Sequence, residues 1–128
     1  MEGYKSKVKS VSIELDPRDR IKFKDTSDAY GIDMALSTLE SLVLNIEYYG
    51  ELAIHNENAE GDKDYNTYVF VDRDGNKYIT GSESVWSSFT DIVDELADDG
   101  ITEIPPIKFY KKESKNYKGK YFLTCSIA

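Results

Sequence analysis

The segment IKFYKKESKNYKGKYF, residues 107–122, contains the side chains best suited to chemistry in this chain. Its six lysines are Lys108, Lys111, Lys112, Lys115, Lys118 and Lys120. Its aromatic residues are Phe109, Tyr110, Tyr117, Tyr121 and Phe122. Lysines neutralise phosphates, and aromatic rings stack on unpaired bases at roughly 1–3 kcal/mol per base. The segment therefore predicts a surface that binds single-stranded nucleic acid, against the alternative of an ordinary amphipathic hairpin with solvated lysines and core aromatics.

Strand alternation sorts these aromatic residues into two groups. Tyr121 shares a face with apolar residues of the last strand, and Phe109 shares a face with Ile107, so both are predicted to be core residues. The better stacking candidates are Tyr110, Tyr117 and Phe122, joined from a hairpin in the middle of the chain by Tyr68, Phe70 and Tyr78.

Charge is distributed unevenly along the chain, whose formal net charge is −8. Residues 1–24 carry seven bases against four acids, and residues 108–128 carry six lysines against one acid. The middle, residues 25–107, carries three bases against 19 acids. Such segregation indicates a basic strip on an acidic body, against the alternative of a solvated, unevenly charged surface. Lys22 and Lys24 join the candidate phosphate-binding residues.

The elements that must position these residues are mainly strands. Alternation predicts a half-buried strand at residues 10–15, a second run at 20–24, and a long strand over 42–54 that bends at Gly50. Residues 26–40 are ambiguous between a short helix and a loop.

The clearest local signal is TYVFVDRDGNKYITG, residues 67–81, which predicts a hairpin with a loop at Arg73 to Gly75. In that register Phe70 faces Tyr78. Val69, Val71 and Ile79 then point to one side of the sheet, and Tyr68, Phe70 and Tyr78 to the other.

A helix is predicted from Ser84 to Asp98, capped by Ser82 or Ser84 and ended at Gly100. Two further strands, about 107–112 and 120–127, follow Pro105 and Pro106. This order predicts a mainly β, OB-fold-like five-stranded barrel over residues 1–128, with one helix between strands 3 and 4 and extra N-terminal elements. If residues 8–24 form the first strand, the two basic segments meet on one side. If 42–54 form it, the N-terminal bases lie elsewhere.

Residues for catalysis are sparse. His55 is the only histidine, and Cys125, the only cysteine, lies on the apolar face of the last strand as a small buried thiol. The chain has no G-x-S-x-G, H-E-x-x-H or phosphate-cradling glycine motif, and Asp72 to Asn76 lacks the remaining ligands of a calcium loop. We therefore expect a protein that is not an enzyme and holds no metal or cofactor.

Composition fits one domain: 128 residues, 40% of them hydrophobic. No apolar run approaches the roughly 18 residues of a membrane span, and the N-terminus has no signal-peptide pattern. With one cysteine as well, these features predict a cytoplasmic protein without membrane partners.

The C-terminal half resembles small single-stranded-DNA-binding proteins of phages of Gram-positive bacteria, such as lactococci and streptococci. The similarity rests on Thr80-Gly81-Ser82, the helix that follows, and the run from Ser114 to Cys125. It implies an OB-fold, binding of single-stranded DNA in phage replication or recombination, self-association, and phage or host replication and recombination proteins as partners. The chain ends in LTCSIA, so recruitment of partners through an acidic C-terminal tail is not expected.

Two functional hypotheses follow. The first is a non-enzymatic protein that binds single-stranded DNA with little sequence preference. The second is an acidic, phage-type inhibitor that binds a host nucleic-acid-processing enzyme through the negatively charged middle of the chain.

Overall fold

The computed structural model describes residues 4–58, 61, 63–114 and 119–128. The chain begins with strand β1 (Tyr4–Val11), helix α1 (Pro17–Lys24), strand β2 (Tyr30–Gly31) and helix α2 (Ile32–Ala35). Strands β3 (Ser41–Leu44), β4 (Ile46–Asn56), β5 (Asp64–Asp72) and β6 (Lys77–Thr80) follow. Helix α3 (Glu83–Asp98) then leads to β7 (Ile107–Glu113) and β8 (Tyr121–Ile127).

The strands form two sheets, which confirms the mainly β class and the helix between strands. One sheet has the order β1-β4-β5-β6-β2 and the other has the order β3-β7-β8. The segment 41–56 belongs to both: β3 pairs with β7, and after Asn45 the chain continues as β4, which pairs with β1 and β5. The predicted long strand is therefore interrupted at Asn45, where the chain passes from one sheet to the other.

The predicted barrel is not closed. In the part of the chain that the structure describes, no ladder joins β6 to β8, because the short strand β2 pairs with β6 on its outer side. The opposite edge of the larger sheet is β1.

Residues 68–71 of strand β5 are buried on both faces of the sheet, and the two longer helices lie on these two faces. Tyr68 and Phe70 pack in one apolar cluster with Val85 and Phe89 of α3. Val69 and Val71 pack in a second cluster, which includes Phe23 of α1. Because successive residues of a strand point to opposite faces, α3 and α1 cover opposite sides of the larger sheet.

The central hairpin and α3 have the predicted geometry. Phe70 pairs with Tyr78, and the backbone amide of Asp72 donates to Asn76 O at 2.9 Å. Ser82 caps α3 by accepting from the amide of Val85 at 3.3 Å, and Gly100, with a φ of 76°, follows its end. The ring of Trp86 is stacked on that of Tyr68, with centroids 4.7 Å apart and planes 10° apart.

Residues 17–24 form a helix, and the prediction of a strand there is wrong. Asp16 caps the helix by accepting from the amide of Asp19 at 2.8 Å, and Pro17 stands at its first position. Of the two alternating apolar residues, Phe23 is buried whereas Ile21 is 67% exposed. The side chain of Lys77 caps the C-terminal end of the helix, since its Nζ donates to Lys22 O at 2.5 Å and to Asp25 O at 2.6 Å.

None of the helices in the described ranges is long and apolar enough to cross a membrane.

Candidate nucleic-acid interface

The outer face of the three-stranded sheet brings together four of the predicted residues. Tyr110 pairs with Thr124, and Lys112 pairs with Phe122. Directly opposed residues lie on the same side of a sheet, as do residues two apart on one strand. Lys108, Tyr110, Lys112 and Phe122 therefore share one surface, which we call the β7–β8 face.

This surface combines cations with rings, and α3 borders it at Thr124, which is buried and lies 3.1 Å from Ser88 between the two hydroxyl oxygens. Both lysines are exposed, Phe122 is 41% exposed and Tyr110 is half-buried. Lys108 Nζ lies 5.5 Å from the centre of the Tyr110 ring, within the range of a cation–π contact. Val43 of β3 pairs with Lys108 and is 49% exposed, so it extends the surface with an apolar side chain. Sequence reasoning missed Val43, although its place in an alternating strand could have indicated it.

The other side of the same sheet faces the core. Ile107, Phe109 and Cys125 are buried there, as predicted for Phe109 and Cys125. The prediction that Tyr121 belongs to the core is wrong, because it is 64% exposed. Helix α3 contacts β8 at Leu123, Thr124 and Cys125, and Tyr121 lies beyond this stretch.

Two other predicted lysines belong to this hairpin but not to the β7–β8 face. Lys111 pairs with Leu123 on the core side of the sheet, where its side chain is exposed, and Lys120, also exposed, precedes β8. Lys115, Tyr117 and Lys118 lie outside the described residues.

Tyr68 and Phe70 are corrected as stacking candidates. Both are buried beneath α3, where Tyr68 stacks on Trp86 and Phe70 packs edge-on against Phe89 with centroids 4.9 Å apart. Rings enclosed in this way have no free face for a base. The sequence indicated correctly that the aromatic side chains share one side of the strand, but α3 covers that side.

Tyr78 lies at the border of the candidate interface. It is half-buried, with its ring 5.5 Å from that of Tyr30, and burial raises the pKa of its hydroxyl. Together with Val43 it lines a depression of about 460 Å³, which Asp72, Arg73 and Asp74 also line. Tyr78 and Val43 thus border the same depression, and charged residues of both signs lie beside them.

Lys22 and Lys24 do not extend the β7–β8 face. Helix α1 packs on the larger sheet, where Phe23 approaches Gly50 of β4 and the carbonyl of Lys22 accepts from Lys77 of β6, whereas β7 and β8 belong to the other sheet. Of the two arrangements that the sequence left open, the one in which residues 8–24 form the first barrel strand and join the two basic segments is wrong, because residues 17–24 form a helix. Segment 41–56 is the strand shared by both sheets, and the N-terminal bases lie elsewhere.

Those N-terminal bases form a separate feature, a groove between α1 and β1. Pro17, Arg20, Ile21 and Lys24 line one wall at helical spacing, and Lys7 and Val8 line the other, around a volume of about 390 Å³. The spacing of residues 17, 20, 21 and 24 is the signal in the sequence that could have revealed this wall.

The side chains of His55 and Cys125 both contact neighbouring residues of the fold. His55 Nδ1 lies 2.7 Å from Asp64 Oδ1, and its Nε2 lies 2.5 Å from Glu57 Oε1. The hydrogen bond to Asp64 has the largest effect and that to Glu57 the second largest, and both raise the pKa of the imidazole. Burial raises the pKa of the Cys125 thiol to about 12, which makes it a poor nucleophile. Across the described ranges, no group of three His, Cys, Asp or Glu side chains could hold a metal ion.

Comparison of the chain with protein-family models, with curated proteins and with solved structures gave no match.

Proposed function

We propose that this protein binds single-stranded DNA, with little sequence preference and without catalysis, through the β7–β8 face. The observation that carries the proposal is that Lys108, Tyr110, Lys112 and Phe122 share one side of the sheet, where all of them except the half-buried Tyr110 are exposed. Phosphates of a strand lying across the sheet would meet the lysines, and its bases would stack on Phe122 and Tyr110. A duplex hides its base faces, so this surface favours the single strand.

The order of the strands supports an open variant of the OB-fold. Segment 41–56 takes the place of the first barrel strand because it pairs with β5 on one sheet and with β7 on the other. Strands β5 and β6, helix α3, and strands β7 and β8 then follow in OB-fold order. OB-folds commonly bind ligands on the face of their second and third strands. Here α1 and its Phe23 cover that face of β5, which leaves the β7–β8 face to the ligand.

The resemblance of the C-terminal half to phage single-stranded-DNA-binding proteins supports the same function. It suggests that the protein acts in phage DNA replication or recombination in the cytoplasm of the host cell.

The test is a fluorescence-anisotropy titration of the protein with labelled oligo-dT and a matched duplex, each at about 50 and 200 mM salt. We expect binding to the single strand that weakens with salt. Phe122→Ala should lose about 1–3 kcal/mol, or about 5- to 150-fold in affinity. Lys112→Gln should reduce the slope of log affinity against log salt by about 0.7.

Matched controls exist elsewhere on the surface. Met34→Ala removes an exposed apolar side chain on α2, and Lys63→Gln removes one positive charge from the region before β5, so neither should change binding. Absence of binding to oligo-dT at 50 mM salt, or equal affinity for the duplex, would rule the proposal out.

A second candidate function rests on the exposed side of α3. Asp91, Asp94, Glu95 and Asp98 form an exposed acidic stripe, and the helix contains no Lys or Arg. An acidic inhibitor that occupies the nucleic-acid groove of a host enzyme would use such a stripe. Asp94→Lys with Glu95→Lys would abolish inhibition of that enzyme, whereas Lys112→Gln would not.

A further inference from the structure

The two longer helices carry opposite charge on opposite sides of the molecule. Helix α1 covers one face of the larger sheet through Phe23, and α3 covers the other through Phe89. Their solvent-exposed sides therefore point in opposite directions. Helix α1 has four bases and one acid, whereas α3 has five acids and no base.

The positive side contains the groove between α1 and β1. Lys7, Arg20 and Lys24 provide its charge, and Val8, Pro17 and Ile21 provide its apolar surface. Ile21 is 67% exposed, so it offers apolar surface to a partner beside the charged side chains of the groove. Among the residues that the structure describes, no acidic side chain lines this groove. Its partner should therefore carry carboxylates along a surface about two helical turns long.

The exposed side of α3 carries carboxylates over such a length. Asp91, Asp94, Glu95 and Asp98 stand at positions i, i+3, i+4 and i+7 of α3, so they form one stripe over two turns. Pro17, Arg20, Ile21 and Lys24 repeat the same spacing on α1. The two surfaces match in length and are opposite in charge.

We propose that the groove between α1 and β1 of one copy binds the α3 stripe of a second copy. The two contacting surfaces differ and lie on opposite sides of the chain, so the contact is head-to-tail and leaves a free surface of each kind at the ends. Copies should therefore add in series into open chains.

Ionic strength should control this assembly in both directions. At 0.15 M salt the Debye length is about 8 Å, so facing patches attract while the net charge of −8 on each copy is largely screened. At 1 M salt the Debye length falls to about 3 Å and the patches are screened as well. At 0.01 M salt it rises to about 30 Å, and repulsion between whole molecules opposes the contact.

The experiment is sedimentation velocity on the full chain, without DNA, over a series of protein concentrations at 0.15 and 1 M salt. We expect the weight-average sedimentation coefficient to rise with concentration at 0.15 M but not at 1 M. Arg20→Glu with Lys24→Glu, and separately Asp94→Lys with Glu95→Lys, should each weaken self-association by at least about tenfold. Circular dichroism would verify that both double variants are folded.

Mixing the two double variants provides the decisive readout. The first variant keeps its acidic α3 stripe and the second keeps its basic groove, so an equimolar mixture should form a 1:1 complex through this intact pair although neither variant self-associates alone. Lys111→Glu with Lys112→Glu is the control of equal charge change: it should leave self-association unchanged while it impairs DNA binding. Failure of the DNA-binding proposal is thereby distinguishable from failure of this one.

Three outcomes would overturn the inference. The first is a wild-type chain that stays monomeric at 0.15 M salt at every concentration reached. The second is self-association that both double variants retain. The third is a mixture of the two variants that does not assemble.

Discussion

At the scale of single residues, Gly50 shows how closely α1 approaches the sheet. A Cβ atom at this position would lie 2.5 Å from Ser10 O and 2.7 Å from Phe23 Cζ. Both neighbours are held in place, one by the β1–β4 ladder and the other by the second apolar cluster. Gly50→Ala should therefore lower the free energy of unfolding by about 1–3 kcal/mol, measured by urea denaturation.

The matched control is Gly81→Ala, because a Cβ atom there would have no neighbour within 4 Å. It should change the free energy of unfolding by less than about 0.5 kcal/mol. Equal losses in the two variants would contradict the close packing of α1 at Gly50.

His55 provides a second prediction at this scale, and as the only histidine it gives a single set of imidazole signals in NMR. Hydrogen bonds to Asp64 and then to Glu57 raise its pKa above 6.5, so folding favours the protonated ring. The stability it contributes is complete below the unfolded pKa of about 6.5 and is lost as pH rises through the folded pKa. Asp64→Asn should lower the titration midpoint, whereas Asp28→Asn should not. A midpoint insensitive to Asp64→Asn would show that this contact is absent in solution.

At the scale of elements, α1 depends on contacts beyond its own sequence. It has only eight residues, and isolated helices of that length are marginal in water. Its C-terminal carbonyls are satisfied by Lys77 of β6, whose Nζ donates to the carbonyls of Lys22, Phe23 and Asp25. Burial lowers the pKa of this ammonium group, and Asp25 partly opposes the shift.

Lys77→Met keeps most of the aliphatic stem and removes the charged donor. Since hydrogen bonds to charged groups contribute about 1.5–3 kcal/mol, a loss of that size is expected in urea denaturation. Lys5→Met, at an exposed position on β1, should cost less than about 0.5 kcal/mol. If Lys77→Met costs no more than Lys5→Met, the carbonyls of α1 do not depend on this lysine.

The elements that the sequence predicted correctly carry strong local signals. Residues 72–76 specify a turn, and α3 has a cap, a long apolar stripe and a terminal glycine. Residues 17–24 misled because Ile21 and Phe23 alternate as in a strand. Asp16 and Pro17 favour a helix start, and only Phe23 needs burial, which one side of a short helix provides.

At the scale of the whole molecule, the sequence could predict the composition of the candidate site but not its extent. Strand parity placed Tyr110 and Phe122 on the outer side of their hairpin, because the opposite side is plainly apolar. It could not do so for Tyr68 and Phe70, because both sides of β5 are apolar and only the packing of α3 decides which rings are covered. Nor could it place the N-terminal bases, since that depends on which edge of the sheet β1 joins.

The stacking of Trp86 on Tyr68 also has a consequence for the fluorescence of the protein. The chain has a single indole, so excitation at the red edge of aromatic absorption selects this one place, between α3 and the larger sheet. The emission colour of an indole follows the polarity around it, and unfolding replaces the aromatic neighbours of this partly buried indole with water. The intrinsic fluorescence of the unmodified chain is thus an optical reporter of its core.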